Sequence, residues 1–195
     1  MVVLALALLM PALAAAQKTG SDRYDEHFRK YTKRYFGPGF DWQYFKAQAM
    51  AESDLEPTAT SRVGAKGLMQ LMPATYGLIK SRKPELGAIE DPESNIAAGI
   101  AHSRGLWLRW KDHEITEERL RFMFASYNAG EGTILRAKKV AQSEQLDERA
   151  WKNIELVAPK VQRWRYTETL PYVRKIEANH DRLVAQPRRS DVVKR

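Results

Sequence analysis

Residues Ala49 to Pro73 read AMAESDLEPTATSRVGAKGLMQLMP. Three textures follow one another in this stretch. An apolar helical run through Phe45, Ala49 and Met50 closes on a single acid, Glu52. A polar loop comes next, with Pro57, Thr58, Thr60, Ser61 and Gly64. A glycine-punctuated apolar segment, Gly67-Leu68-Met69-Gln70-Leu71-Met72, then runs into Pro73. A carboxyl at the end of an apolar run sits where desolvation raises its pKa, as a general acid working near neutral pH requires. A solvated glutamate at a frayed helix end is the competing reading of Glu52 taken alone.

Outward from this stretch the chain reads as helix after helix. Tyr24, Phe28, Tyr31 and Tyr35 share one face of a helix predicted over 22–36, which Gly37-Pro38-Gly39 ends. Asp41 is placed to cap a second helix through Trp42, Phe45 and Ala49 to Glu52. Pro73 suits the first turn of a short helix to about Ser81. Asp91-Pro92-Glu93 combines a cap, a proline at the first helical position and an acid for the dipole, opening a helix to about Trp110. Thr116-Glu117-Glu118 opens another to Tyr127, stopped by Gly130, and further helices are predicted over 131–141, 147–157 and 168–183. No sustained alternating strand pattern or internal repeat is present, and at most a small hairpin fits within 54–68. The expected architecture is one compact, mostly α domain over 17–185.

The two ends differ in character. Residues 1–16, MVVLALALLMPALAAA, are uncharged and almost wholly apolar, and fit a secretory signal peptide cleaved before Gln17. They are shorter than the roughly 20 apolar residues of a membrane span. No Lys or Arg precedes the apolar core, so either the true start lies upstream or the signal is atypical. Residues 186–195 form a basic tail, with Arg188, Arg189, Lys194 and Arg195 against Asp191, and are expected to be disordered. The net charge of +8 favours polyanionic partners, and the export reading counts against nucleic acid. The absence of cysteine excludes a disulfide scaffold, thiolate metal sites and a cysteine nucleophile.

Other chemistries fail on spacing. His27, His102, His113 and His180 are scattered and form no H-E-x-x-H pair, and Gly64-Ala65-Lys66-Gly67 lacks the spacing of a phosphate loop. No histidine neighbours Ser53 or Ser61 in sequence to serve as a base, which leaves open only one brought near by folding. Acid chemistry at Glu52 is what remains, without metal or organic cofactor.

Four segments resemble, in order, the motifs of the bacterial soluble lytic transglycosylase family. They are Glu52-Ser53 with Ser61; Gly64-Ala65-x-Gly67 through Pro73; Ser126-Tyr127-Asn128-Ala129-Gly130; and Glu168-Thr169-Leu170-Pro171-Tyr172-Val173. Ser126 stands where the family usually has alanine. The resemblance implies a lysozyme-like fold and cleavage of the β-1,4 bond between N-acetylmuramic acid and N-acetylglucosamine in peptidoglycan. It implies Glu52 as acid and base, with Gln70 and Met72 facing sugar and Ser61 on the muramoyl N-acetyl group. It further implies Tyr127 beside Glu52, Asn128 ordering its turn, and Glu168 and Tyr172 on the far wall. Core packing is the alternative for Tyr127, Tyr172 and Met72, and helix-end roles are the alternatives for Asn128 and Glu168. A monomer in the periplasm or cell envelope is expected, with a cell-wall assembly or secretion machinery as a conceivable partner.

Most glycosidases employ two carboxyl groups, about 5 Å apart when retaining and farther apart when inverting. Here Asp54, if the helix continued, would point about 200° around from Glu52, and Glu56 could reach it only by loop folding. A single acid suffices if the muramoyl 6-hydroxyl closes a 1,6-anhydro ring. A hydrolase on the same scaffold, or a wall-binding scaffold protein with a vestigial site, are the alternatives.

Overall fold

The computed structural model describes residues 22–112 and 116–185. Both the 1–16 leader and the 186–195 tail lie outside these described residues. Eight α-helices follow in order: α1 Asp25–Phe36, α2 Gln43–Ser53, α3 Pro73–Arg82, α4 Pro92–Arg109, α5 Thr116–Ala129, α6 Glu131–Ser143, α7 Trp151–Val157 and α8 Tyr166–Ala185. A 3-10 turn over Ala158–Lys160 separates the last two. Between α2 and α3 the chain makes two isolated antiparallel bridges, Thr60 with Lys66 and Lys66 with Leu71, within a tight double turn. Among the described residues this is the whole of the β structure, and no helix is long and apolar enough to cross a membrane.

α4 is the central helix. Ile96, Ala97, Ala98, Gly99, Ile100, Ser103 and Leu106 are all buried, as expected of a helix packed on several sides. It begins as its sequence dictates, with Pro92 in the first turn and the Asp91 carboxylate accepting from the Ser94 amide at 2.8 Å. The Glu93 carboxylate accepts from Lys30 Nζ (2.6 Å) and the Tyr31 hydroxyl (2.8 Å), fixing α1 against α4. α1 buries Phe28 and Tyr31, and Tyr24 is buried just before its start, as the aromatic spacing predicts, while Tyr35 on the same face is only half-buried. Trp42, not Asp41, holds the N-cap position of α2, while the Asp41 carboxylate one residue earlier accepts from the Gln43 amide at 2.9 Å.

α7 starts later than the sequence suggests. Asp147 folds into a local turn, accepting from the Arg149 amide at 3.0 Å, while the Trp151 amide donates to the Glu118 carboxylate on α5. The first exposed N–H of α7 is thus satisfied by a residue from another helix. α8 starts two residues earlier than predicted, and Pro171 lies inside the helix, where it has no N–H to donate to the Thr167 carbonyl.

α2 and α8 pack antiparallel along a stitched seam. Descending α2 and ascending α8, Tyr172 meets Glu52, Lys175 Nζ donates to the Ala51 carbonyl (3.1 Å), and Asn179 Nδ2 donates to the Ala47 carbonyl (3.1 Å). His180 Nε2 then lies 2.8 Å from Asp41 Oδ2. This seam carries the candidate site.

Candidate active site

Glu52 lies in the last turn of α2, and the helix ends because Asp54 takes a left-handed conformation (φ 54°). The Glu52 residue is half-buried, closed in by protein on most sides. Burial pushes its carboxyl up to about 7; the Tyr172 hydrogen bond and the Lys175 charge pull it back, and the Glu168 charge adds to the rise. Tyr172 donates to Glu52 Oε1 at 2.6 Å. Burial raises the Tyr172 and Tyr127 phenols well above their ordinary range, so both stay protonated at any pH of interest.

The two acids nearest in sequence are elsewhere. Asp54 is exposed beyond the helix end, and Glu56 is exposed and turned to Thr58, accepting from its amide (3.0 Å) and hydroxyl (2.5 Å).

The segment 67–72 is held in place through Met69. Its amide donates to Asn95 Oδ1 (2.8 Å) and its carbonyl accepts from the Tyr127 hydroxyl (2.8 Å). Asn95 Nδ2 donates in turn to the Lys66 (3.0 Å) and Ile89 (2.9 Å) carbonyls. Ser53 Oγ, next to the acid, donates to the Leu68 carbonyl at 2.9 Å, so the segment is tied directly to α2. The buried Met69 side chain packs on Gly99 of α4, where an added Cβ would fall 2.7 Å from Met69 Cβ.

The residues singled out by sequence fall into three groups. Tyr172 contacts Glu52 directly, and Tyr127 feels its charge from α5. Asn128 and Glu168 line a small cavity of about 150 Å³ together with Ala129, Arg163, Trp164 and Arg165. In it Asn128 Oδ1 accepts from Thr169 Oγ1 (2.8 Å), while Glu168 pairs with Arg165 (2.6 Å). Ser61, Gln70 and Met72 belong to the double turn and its exit. Ser61 Oγ accepts from the Ala65 amide (3.0 Å), and Gln70 Nε2 donates to the Gly67 (2.9 Å) and Ala59 (3.2 Å) carbonyls. Met72 is exposed at the entry to α3.

Sequence reading missed Gln48, Asn95, His102 and Lys175. Gln48 donates to the Tyr172 oxygen (3.2 Å), and the His102 ring lies 5.1 Å from that of Tyr127, its pKa lowered by burial. The available signal was a polar residue, Gln48 or Asn95, inside an otherwise apolar helical stretch. A larger cleft of about 600 Å³ between α5, α7 and α8 has none of these residues in its lining. Its walls include the ion pairs Arg121–Glu177 (2.7 Å) and Arg174–Glu155 (2.8 Å).

A half-buried acid gripped by a phenol beside a clamped backbone segment, on a mostly α scaffold, fits a family match. The family model of the transglycosylase SLT domain matches residues 27–150, and the chain belongs to that family. It is 37% identical over 136 residues to a membrane-bound lytic murein transglycosylase F of Desulfosudis oleivorans, covering 69% of this chain and 28% of that protein. Against a protein of the same name from Shewanella pealeana it is 32% identical over 175 residues, covering 83% of this chain and 34% of that one. The chain thus spans only about a third of the length of these curated relatives. The 70 kDa soluble lytic transglycosylase of Escherichia coli superposes with a TM-score of 0.62 at 25% identity, over 84% of this chain and 25% of that one. An inactive mutant of the lytic transglycosylase Slt from Pseudomonas aeruginosa shares the fold, with a TM-score of 0.66 at 22% identity, over 85% of this chain and 25% of that one.

Proposed function

We propose that this chain is a lytic transglycosylase of peptidoglycan, cleaving the bond between N-acetylmuramic acid and N-acetylglucosamine with Glu52 as its one acid and base. The observation that carries this reading is the Glu52 carboxyl, raised to about 7 and anchored through one oxygen by Tyr172. An acid so tuned is half protonated near neutrality, which suits donation and recovery of one proton. Protonated Glu52 gives its proton to the bridging oxygen as the bond from that oxygen to the muramoyl C1 breaks. The muramoyl N-acetyl carbonyl stabilises the developing cation at C1. Glu52, now a carboxylate, takes the proton of the same sugar's 6-hydroxyl while O6 bonds to C1, closing the 1,6-anhydro ring and restoring the acid. No water enters the balance. Ring closure within one sugar also gains from high effective concentration, so a second carboxylate to position water is dispensable.

Ser61, Gln70, Met72, Tyr127, Asn128, Glu168 and Tyr172 form the glycan-contacting set in this reading. Gln70 does so through its carbonyl oxygen, because its amide hydrogens hold the turn. The names of the curated relatives and the apolar residues 1–16 support action on glycan strands in the periplasm or cell envelope.

Digestion of purified sacculi followed by mass spectrometry of the products tests the proposal. Anhydro-ended muropeptides, lost in Glu52→Gln, are the expected result. Reducing ends, heavier by one water, would assign a hydrolase, and binding of sacculi without cleavage by the unaltered protein would assign a scaffold role.

A further inference from the structure

We infer that Gln48 and Ser103 are positioning residues, forming with Tyr172 a buried hydrogen-bond chain that dictates which oxygen of Glu52 carries its proton. The inference rests on Glu52 being the acid of the proposed reaction. Gln48 and Ser103 are fully buried and Tyr172 nearly so. Gln48 precedes Glu52 by one turn of α2, so both present to the same face. Ser103 on α4 donates from Oγ to Gln48 Oε1 at 3.4 Å, the longest link. With the carbonyl end of the amide engaged there, the NH₂ end faces α8, and Nε2 donates to the Tyr172 oxygen at 3.2 Å. That oxygen is then an acceptor towards Gln48, and its own proton goes to Glu52 Oε1 at 2.6 Å.

A direction follows along the chain: serine to glutamine, glutamine to tyrosine, tyrosine to glutamate. Oε1 of Glu52 is committed as an acceptor. The proton to be donated therefore resides on Oε2, the oxygen that Tyr172 does not hold. Without Gln48 the Tyr172 oxygen is free to accept, and Glu52 can turn its proton onto Oε1, towards the phenol and away from any substrate. The other charged and titratable groups felt by Glu52 are Lys175 and Glu168 of α8 and Tyr127 of α5, with His102 of α4 against the Tyr127 ring. None of them is altered by a change at Gln48 or Ser103.

The test combines pH profiles of sacculus digestion with direct titration of Glu52 by carboxyl ¹³C NMR of the full chain without substrate. Gln48→Met keeps the volume and removes the donor. The expected result is a roughly 10- to 100-fold fall in kcat with KM unchanged, and an alkaline limb moved to higher pH because the Glu52 carboxylate loses a polarised donor. Ser103→Ala, a milder change that keeps the protein folded, should move both quantities in the same direction by less. In a Tyr172→Phe background, Gln48→Met should add nothing further, since the chain acts only through that phenol. An unmoved titration of Glu52 in both single variants, or an equal effect of Gln48→Met with and without Tyr172, would overturn the inference. The NMR titration reads the chain even if the lytic reading fails, and a fully lytic Glu52→Gln variant would identify that separate failure.

Discussion

Gly67 lies so close to Asn95 that a Cβ at residue 67 would fall 2.4 Å from Asn95 Nδ2, and its backbone is left-handed with φ 76°. Both facts point to glycine, and they have the same origin. The Asn95 amide must reach past residue 67 to bond Lys66, Met69 and Ile89, and the chain must turn sharply to present those groups. Gly67→Ala should therefore cost about 2–4 kcal/mol through combined strain and overpacking. Asn95→Ala, which takes its bond from the Met69 amide and the Ile89 carbonyl while the Lys66 carbonyl keeps the Leu71 amide, should cost a similar amount. Chemical denaturation of each variant checks this, and an Asn95→Ala loss under about 0.5 kcal/mol would contradict the clamp.

Glu52 should be a liability to stability above its pKa. Its folded-state value is raised from 4.5 to about 7, so the folded chain holds a proton that the unfolded chain releases. Stability therefore falls as pH rises from about 4.5 through 7, and is unaffected at lower pH. Glu52→Gln should be more stable than the unaltered protein by about 3 kcal/mol at pH 8 and equal to it at pH 4. Thermal melts at the two pH values measure the difference, and an equal gain at both would assign the effect to something other than ionisation.

The same titration should govern activity. If Glu52 is the proton donor, that donor is lost as pH rises through about 7, and lysis should decline about tenfold per pH unit above that point. Tyr172 stabilises the carboxylate, so Tyr172→Phe should carry the alkaline limb to higher pH while lowering the maximal rate. A limb that moved to lower pH would reverse the sign assigned to this hydrogen bond.

Tyr127→Phe removes the donor to the Met69 carbonyl without changing the ring. The expected loss is about 1–2 kcal/mol of stability. A loss of lytic rate larger than that stability change explains, measured below the unfolding temperature, would show that the phenol positions the site as well as packing it.

The helices were legible because their signals are local. The aromatic spacing of Tyr24, Phe28 and Tyr31, and the Asp91-Pro92 start of α4, each depend on neighbours within a turn or two. The start of α7 was not legible, because Glu118, 33 residues away, receives the Trp151 amide. The same reason hid the supports of the site. Gln48 reads as a stray polar residue in α2 until α8 brings Tyr172 from 124 positions away, and Asn95 reads the same way until the 66–69 turn folds onto α4. Glu52 itself was visible as an acid closing an apolar run. Its grip by Tyr172 is a property of the folded seam and of no segment alone.

On the proposed reading, that seam also sets when the molecule becomes chemically competent. A nascent chain emerging as far as residue 165 already bears its acid, but not the phenol, ammonium and carboxamide that α8 supplies at Tyr172, Lys175 and Asn179. If Glu52 is the acid of the proposed reaction, competence arrives with the last helix, and a protease that clips α8 away would disarm the molecule while leaving every residue of its acid-bearing helix intact.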